Sequence, residues 1–140
     1  YYTNQIDAFI KSHRLEKRVH LLHDVTFQYL PAIYQQAEIF VYPSRFEGFG
    51  IPIIEALHSG IPVIAATGSC LEEAGGPDSL YVHPDDKEGM TKAICSLLNH
   101  PEKRQHMIEQ GLKYVTRFSE QRQAEELMNL YRSLTEEKTI

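Results

Sequence analysis

Short apolar runs alternate along the chain with segments whose apolar residues recur at helical spacing. Apolar runs bounded by polar or turn residues are typical of strands covered on both faces, and they predict strands at 19–22, 38–42, 61–66 and 80–82. The helical spacing predicts helices at 3–15, 30–37, 51–59, 70–74, from Asp85 or Asp86 to about 98, from 101 to about 117, and from Ser119 onward. Such alternation is typical of a parallel sheet with right-handed crossovers. The pattern therefore predicts a single α/β domain over residues 1–140, with a mostly parallel sheet of about three to four strands flanked by helices.

The same spacing predicts which side chains the helices bury. The first helix has an apolar stripe at Ile6, Phe9, Ile10 and Leu15. Core-facing positions are expected at Ile33 and Ala37 in the second helix, and at Ala124, Leu127, Met128, Tyr131 and Leu134 in the last. The final two helices are interpreted as packing elements, and we assign no functional residue to them.

The stretch from Pro43 to Gly60 carries the strongest functional pattern. An apolar strand is followed by a loop with Gly48 and Gly50, and then by a helix with Pro52 in its first turn. Both loop glycines are expected to adopt backbone conformations closed to other residues and to let a ligand approach closely. Because the first N–H groups and the dipole of a helix point at the same spot, this arrangement predicts an anion site.

Two glutamates, Glu47 and Glu55, lie around this helix start. The helix that carries Glu55 is otherwise apolar on nearly all sides, so its carboxylate must be paired, hydrogen-bonded or placed at the edge of a cavity. Taken singly, each glutamate is better explained by a structural role near a helix start. Two carboxylates around one glycine-rich helix start favour a site for hydroxyls and phosphate.

Composition and charge exclude several other classes of function. The net charge of -5 and the absence of a lysine-arginine run argue against a nucleic-acid surface. The two cysteines and seven histidines have no metal-ligand spacing, which predicts no metal site, and the cysteines do not suggest a disulfide framework. No apolar run approaches the ~20 residues of a membrane span. We therefore expect a cytoplasmic protein without a transmembrane segment. The chain opens on Tyr1, which suggests a fragment.

The segment Glu47-Gly-Phe-Gly-Ile-Pro-Ile-Ile-Glu55 resembles the E-x7-E signature of retaining glycosyltransferases with the GT-B fold, the family 4 type that uses nucleotide sugars. The flanks are similar too: Phe40-Val-Tyr-Pro-Ser44 before it, and Gly60-Ile-Pro-Val-Ile64 after it. Glu72 or Glu73 falls where the family carries its next glutamate. The resemblance covers about Tyr1 to Tyr131 and implies a partial Rossmann-like fold, namely the C-terminal, donor-binding domain of a GT-B enzyme, truncated at its N-terminus.

The resemblance also implies a role for particular residues. Glu47 is the implied catalytic residue, bonding hydroxyls of the transferred sugar, and Glu55 would accept from the ribose hydroxyls. Gly48 belongs to the same loop and is counted among the substrate-binding residues. The backbone N–H groups of the next three residues, Phe49, Gly50 and Ile51, would meet the sugar and the diphosphate. Val25 would touch the base through its main chain. No metal or other cofactor is implied, since the nucleotide diphosphate sugar is itself the donor substrate.

Several parts of the family's pattern are missing from this chain. The family usually carries an Arg and a Lys that clasp the diphosphate on a glycine loop after the first strand of this domain, and nothing before Tyr1 supplies them. The first two strands and the acceptor-binding domain are absent as well. If the absent strands are the central ones of the sheet, the strand at 19–22 pairs with a new neighbour, stays loose, or is completed by another copy. We therefore expect the chain to be inactive alone and to self-associate.

The leading hypothesis is the nucleotide-sugar-binding part of a retaining glycosyltransferase, a hexosyltransferase. Its parent would transfer a hexose to a glycan or lipid-linked acceptor held by the missing domain, as in polysaccharide biosynthesis. It would act in the cytoplasm or at the inner membrane face. The alternatives are a non-catalytic nucleotide or phosphosugar binding module, and a plain α/β interaction domain in which both glutamates are structural.

Overall fold

A computed structural model describes residues 2–136 of the chain. The chain divides into an N-terminal unit, Tyr1–Leu30, and a C-terminal unit, Pro31–Ile140, which are described in turn. The elements in chain order are α1 (Tyr2–Ser12), a 3-10 turn (Phe27–Tyr29), α2 (Leu30–Gln36), β1 (Phe40–Tyr42), α3 (Ile51–His58), β2 (Val63–Ala66), α4 (Leu71–Gly75), β3 (Leu80–Val82), α5 (Lys87–Asn99), α6 (Pro101–Val115), a second 3-10 turn (Thr116–Phe118) and α7 (Glu120–Glu136). None of the helices within the described range is long and apolar enough to cross a membrane.

The N-terminal unit consists of α1, the 3-10 turn and the irregular segment between them. Of the predicted stripe on α1, Ile10 is buried, whereas Ile6 and Phe9 are exposed. The strand predicted at 19–22 is wrong, because these residues form no regular element. An apolar run becomes a strand only where a neighbouring strand takes up its backbone hydrogen bonds, and the sheet in the described part of the chain consists of other segments.

The C-terminal unit contains a parallel, three-stranded sheet in the order β1-β2-β3. Phe40 pairs with Val63 in one ladder, and Ile64 pairs with Leu80 in the other. The central strand β2 is buried at every position, as expected for a parallel strand covered on both faces. The α/β class, the parallel sheet and the strand number predicted from the sequence are confirmed.

The core has two parts because alternate residues of β2 point to opposite faces of the sheet. Ile64 packs on one face with Leu97 of α5 and Met107 of α6. The opposite face, which carries Val63 and Ala65, contributes to a larger cluster that also includes Ala66 at the end of the strand. This cluster is drawn from β2, α3, α4 and the end of α6: Ile53, Ala56, Leu57, Val63, Ala65, Ala66, Leu71, Ala74 and Val115. Ile53, Ala56 and Leu57 of α3 belong to this larger cluster, so the helix that is predicted to form the site is anchored in the core.

Helix ends in this unit follow the predicted signals. The Asp86 carboxylate accepts from the backbone N–H of Gly89 at 2.8 Å and so caps the start of α5. Pro101 occupies the first turn of α6, where a missing N–H costs nothing. Gly60, with φ +72°, follows the end of α3.

Two predictions of helix burial are wrong. The apolar residues of α7, including Leu127 and Leu134, are about half exposed, because periodicity shows that a helix has an apolar face but not that this chain covers it. Ile33 of α2 and Ala37, which follows the end of that helix, are exposed, and Tyr34 packs inward instead. The tyrosine ring is apolar enough to join the core, and its hydroxyl reaches a polar partner.

Candidate functional site

The loop between β1 and α3 carries the predicted glycines, and the structure separates their roles. Gly50 precedes α3 with φ +99°, in the left-handed region. A Cβ atom on Gly50 would lie 2.9 Å from Cδ2 of Leu71 and 3.2 Å from Cβ of Ala74, so α4 packs directly on this backbone. Gly48 has no positive φ, so the special conformation expected there is wrong. Its Cβ position is open space, which leaves the backbone approachable.

Glu47 is held from one side by two hydroxyl donors. The Tyr42 hydroxyl donates to Oε1 of Glu47 at 2.5 Å, and the Ser44 hydroxyl donates to the same oxygen at 2.8 Å. The hydrogen bonds from Tyr42 and Ser44 lower the pKa of Glu47 below its ordinary value. The hydrogen bond between Tyr42 and Glu47, together with burial, raises the pKa of Tyr42 to about 12. The proton therefore stays on the tyrosine at neutral pH, and Glu47 is an ionised acceptor.

The main chain of Glu47 is fixed as well. The thiol of Cys70, which immediately precedes α4, donates to the backbone carbonyl of Glu47 at 3.2 Å. No local sequence pattern connects Cys70 with the loop, because this contact depends on how α4 docks beside α3.

Glu55 lies on α3 between fully buried neighbours such as Ile53 and Ala56. Its carboxylate meets the predicted need for a partner through the Tyr34 hydroxyl, which donates to Oε2 at 3.0 Å. Burial, reinforced by the bond to Glu55, raises the pKa of Tyr34 to about 12, so this phenol also keeps its proton. Glu55 is thus half-buried in an apolar helix, and none of its side-chain oxygens is both fully buried and unpaired within the described part of the chain.

The two tyrosines belong to one row of aromatic rings. Tyr34 meets Phe40 edge to face with centroids 5.4 Å apart, and Phe40 stacks on Tyr42 at 5.7 Å. Phe40 and Tyr42 lie two residues apart on β1, so their side chains share one face of the strand. Sequence analysis missed both tyrosines as site residues; the only local signal was this spacing of two between aromatic residues.

Polar contacts also tie the neighbouring loops together. Both terminal nitrogens of Arg45 bond the two carboxylate oxygens of Asp85, which follows β3. This guanidinium lowers the pKa of Asp85. The pair is solvent-exposed, so we expect it to contribute little to stability. After β2, Glu72 accepts from the Thr67 hydroxyl and from the Gly68 N–H, which closes the adjacent turn.

The remaining predicted contacts lie at the start of α3 and in the N-terminal unit. The ring of Phe49 meets Phe118 edge to face with centroids 5.6 Å apart, which holds the loop against the second 3-10 turn. Ile51, the first residue of α3, is 62% exposed. Within residues 2–136, the backbone N–H groups of Phe49, Gly50 and Ile51 donate to no protein acceptor. Val25 lies half-buried in the N-terminal unit, and its contact with a base stays a prediction.

The described residues contain no group of three His, Cys, Asp or Glu side chains placed to hold a metal ion. What the arrangement offers is a set of acceptors and donors. Glu47 and Glu55 present ionisable oxygens, and the start of α3 presents N–H groups. Carboxylates bind sugar hydroxyls, and N–H groups at a helix start bind phosphate oxygens.

Comparison with known proteins shows which family this chain belongs to. A family profile described as "Glycosyl transferases group 1" matches residues 2–114. The chain is 37% identical over 101 residues to the O-antigen chain mannosyltransferase RfbU of Salmonella typhimurium, covering 72% of this chain and 29% of that protein. It is 35% identical over 107 residues to a D-inositol 3-phosphate glycosyltransferase of Corynebacterium urealyticum, covering 75% of this chain and 25% of that protein.

Solved structures show the same relationship. The chain superposes on a sucrose-phosphate synthase from Thermosynechococcus elongatus with a TM-score of 0.82 and 29% identity, covering 96% of this chain and 35% of that one. It shares the fold of the C-terminal domain of a glycosyl transferase group 1 family protein from Francisella tularensis, with a TM-score of 0.70 and 24% identity over 82% of this chain and 60% of that one. The chain spans less than a third of the length of the curated relatives named above.

Proposed function

Because the chain belongs to the group 1 glycosyl transferases, we propose that it forms the donor-binding part of a retaining glycosyltransferase of the GT-B, family 4 type. The complete enzyme transfers a hexose from a nucleotide diphosphate sugar to a glycan or lipid-linked acceptor. Two relatives are named as O-antigen chain mannosyltransferases, which supports a hexose and a polysaccharide product. The donor is the only small molecule required, with no separate cofactor.

The observation that carries this proposal is the one-sided hydrogen bonding of the two glutamates. Protein donors occupy Oε1 of Glu47 and Oε2 of Glu55. Among residues 2–136, no hydrogen bond reaches the other oxygen of either carboxylate. Each glutamate thus keeps one oxygen for a ligand. In the proposed complex, Glu47 accepts from hydroxyls of the transferred sugar and Glu55 accepts from the ribose hydroxyls.

The start of α3 would receive the diphosphate. In a transfer of this kind the bond between the anomeric carbon and the phosphate oxygen breaks, and negative charge grows on the leaving diphosphate. The N–H groups of Gly50 and Ile51 lie at the positive end of the α3 dipole, where such charge is stabilised. Gly48 leaves room for the sugar, since no side chain or backbone atom lies near its Cβ position.

Calorimetric titration with a panel of nucleotide diphosphate sugars tests the binding half of the proposal, and transfer assays with the complete enzyme test the catalytic half. We expect one donor of the panel to bind, and Glu55→Gln to weaken its binding by about tenfold or more. Glu88→Gln is the matched control, because Glu88 is exposed in the first turn of α5. A complete enzyme that binds the donor without transferring its sugar would instead identify a non-catalytic binding module.

A further inference from the structure

We propose that Tyr34 and Tyr42 are positioning residues of the donor site: each phenol holds one oxygen of a site glutamate, and the contact of both rings with Phe40 keeps the two carboxylates in a fixed relation. The inference rests on the proposed function, since it assumes that Glu47 and Glu55 contact the donor. It assigns a role to Tyr34, Phe40 and Tyr42, which lie outside the glutamate motif. The rings of Tyr34 and Tyr42 both contact the ring of Phe40 on β1.

Hydrogen bonds from the two phenols restrict the orientation of both carboxylates. A glutamate side chain has three rotatable bonds, and a free carboxylate samples many orientations before it meets a ligand. A bond from Tyr42 to one oxygen of Glu47 and from Tyr34 to one oxygen of Glu55 removes much of that freedom. In both glutamates one carboxylate oxygen accepts from the protein, and the second oxygen has no donor among the described residues. Ordering of this kind before binding lowers its entropic cost.

The two phenols are themselves held in place by the strand and by the core. Tyr42 and Phe40 are strand residues, and β1 is hydrogen-bonded along β2, which is fully buried. Tyr34, on α2, is partly buried and packs against the larger core cluster. A tyrosine has only two side-chain torsions, so a stacked and core-packed ring holds its hydroxyl in one place. The row therefore connects the two carboxylates through three rings in contact.

The two hydrogen bonds run in the same direction, from a phenol to a carboxylate. Both phenols act as donors and both carboxylates as acceptors, because the pKa of Tyr34 and of Tyr42 is raised to about 12. At neutral pH Glu47 is therefore ionised, and the second oxygen of each carboxylate can accept a hydrogen bond from a ligand hydroxyl. Glu47 has an additional donor in Ser44, so its orientation is fixed more firmly than that of Glu55.

The test uses Tyr42→Phe, Ser44→Ala and Tyr34→Phe, which each remove one donor and keep the packing. Tyr131→Phe is the matched control, because Tyr131 lies exposed on α7 far along the chain. The first readout needs no activity: the carboxyl carbon of Glu47 is followed by carbon NMR during a pH titration of the full chain. We expect the midpoint to rise in Tyr42→Phe and in Ser44→Ala, and to stay unchanged in Tyr131→Phe and Tyr34→Phe.

The second readout is the kinetics of the complete transferase. We expect Tyr42→Phe to lower kcat about tenfold with little change in KM, since Glu47 contacts the reacting sugar. We expect Tyr34→Phe to raise the KM for the donor about fivefold with little change in kcat, since Glu55 contacts the ribose. Melting temperatures within a few degrees of the parent protein exclude unfolding as the cause. If Tyr42→Phe does not fold, Ser44→Ala gives the same NMR reading with the aromatic row intact.

The outcomes separate the two proposals. An unchanged Glu47 midpoint in both Tyr42→Phe and Ser44→Ala overturns the positioning role, whatever the activity. A raised midpoint with unchanged kinetics also overturns it if Glu47→Gln inactivates the enzyme, because the donor site then works without the restraint. If Glu47→Gln leaves transfer unaffected, the proposed function of Glu47 fails, and the positioning role fails with it.

Discussion

The ring of Tyr114 lies directly over Gly76, and a Cβ atom on that glycine would come within 2.8 Å of three ring carbons. Gly76 has φ +70° and ψ -179°, a region that only glycine adopts readily. The Tyr114 hydroxyl donates at 2.6 Å to the backbone carbonyl of Glu73, and the Arg117 guanidinium lies 5.1 Å from the ring centroid. A single close approach therefore fixes α6 to the end of α4.

We expect Gly76→Ala to destabilise the protein by about 1–3 kcal/mol from backbone strain, with a further loss from displacement of the Tyr114 ring. Urea unfolding followed by circular dichroism measures the change. Gly48→Ala is the control, since Gly48 has neither a positive φ nor an atom near its Cβ position. Equal midpoints for the two variants would contradict the packing described for Gly76.

The two loop glycines predict a contrast within the site itself. Gly50→Ala forces an alanine to φ +99° and drives its methyl group towards Leu71 and Ala74, so we expect a loss of stability of about 1–3 kcal/mol and a displaced start of α3. Gly48→Ala is expected to keep stability within about 0.5 kcal/mol but to weaken donor binding, because its methyl group occupies open space beside Glu47. Unfolding and calorimetric titration of both variants check this. Unchanged donor affinity in Gly48→Ala would remove that backbone from the site.

Replacing the two glutamates in the complete transferase should have different kinetic results. Glu47→Ala is expected mainly to lower kcat, because contacts to the sugar hydroxyls position the reacting carbon. Glu55→Ala is expected mainly to weaken donor binding, by roughly 1–3 kcal/mol for the loss of charge-assisted hydrogen bonds. Steady-state kinetics with varied donor concentration separates the two effects. Small and equal effects would support a purely structural role for both residues.

Alkaline pH should destabilise the fold through Tyr34 and Tyr42. Their folded-state pKa values of about 12 lie above the ordinary tyrosine value of about 10. Between these values the unfolded chain has lost protons that the folded chain keeps, so stability is fully present below about pH 10 and falls as pH rises towards 12. Urea unfolding at pH 8, 9.5 and 10.5 measures the decline. We expect a shallower decline in the double variant Tyr34→Phe/Tyr42→Phe.

Glu47 gives the opposite dependence at acid pH. Hydrogen bonds from Tyr42 and Ser44 lower its pKa in the folded state. Its contribution to stability is therefore present above the ordinary glutamate pKa and is lost as pH falls below about 4.3 towards the folded value. The matched variant Glu47→Gln should flatten the acid limb of the stability profile.

Self-association of the chain stays a prediction, and it now rests on two exposed apolar residues of α1 rather than three. Ile6 and Phe9 on α1 are 48% and 57% exposed, whereas Ile10 is buried. Covering two such side chains contributes roughly 1.5–3 kcal/mol each. Light scattering at micromolar concentration should show species larger than a monomer, and the double variant Ile6→Lys/Phe9→Lys should reduce them. A monomer at all concentrations tested would contradict the predicted self-association.

The sequence was sufficient for the sheet and its helices because the relevant signals are local. The apolar runs at 40–42, 63–66 and 80–82 become strands, and the Asp86 cap and Pro101 start their helices as predicted. The wrong predictions concern segments whose structure depends on a neighbouring strand or helix, which a local sequence pattern does not specify. Residues 19–22 have the composition of a strand but no ladder within the described chain, and α7 has an apolar stripe that stays exposed.

The site divides in the same way. Glu47, Gly50 and Glu55 stand out in the sequence by their spacing around a helix start, whereas Tyr34 and Cys70 do not. Tyr34 reaches Glu55 across 21 positions and Cys70 reaches Glu47 across 23, so both contacts exist only once α2 and α4 have docked. A restraint on a functional side chain is therefore harder to read from sequence than the side chain itself.

The central position of β2 has a consequence for how all these stability changes are measured. Its residues are at most 1% exposed, and a neighbouring strand is paired on each side. The amide hydrogens of Val63 to Ala66 should therefore exchange with deuterated water only when the whole unit unfolds. Their exchange rates would report the free energy of global unfolding under native conditions, residue by residue and without urea. The faster amides of β1 and β3 would then reveal which edge of the sheet opens first.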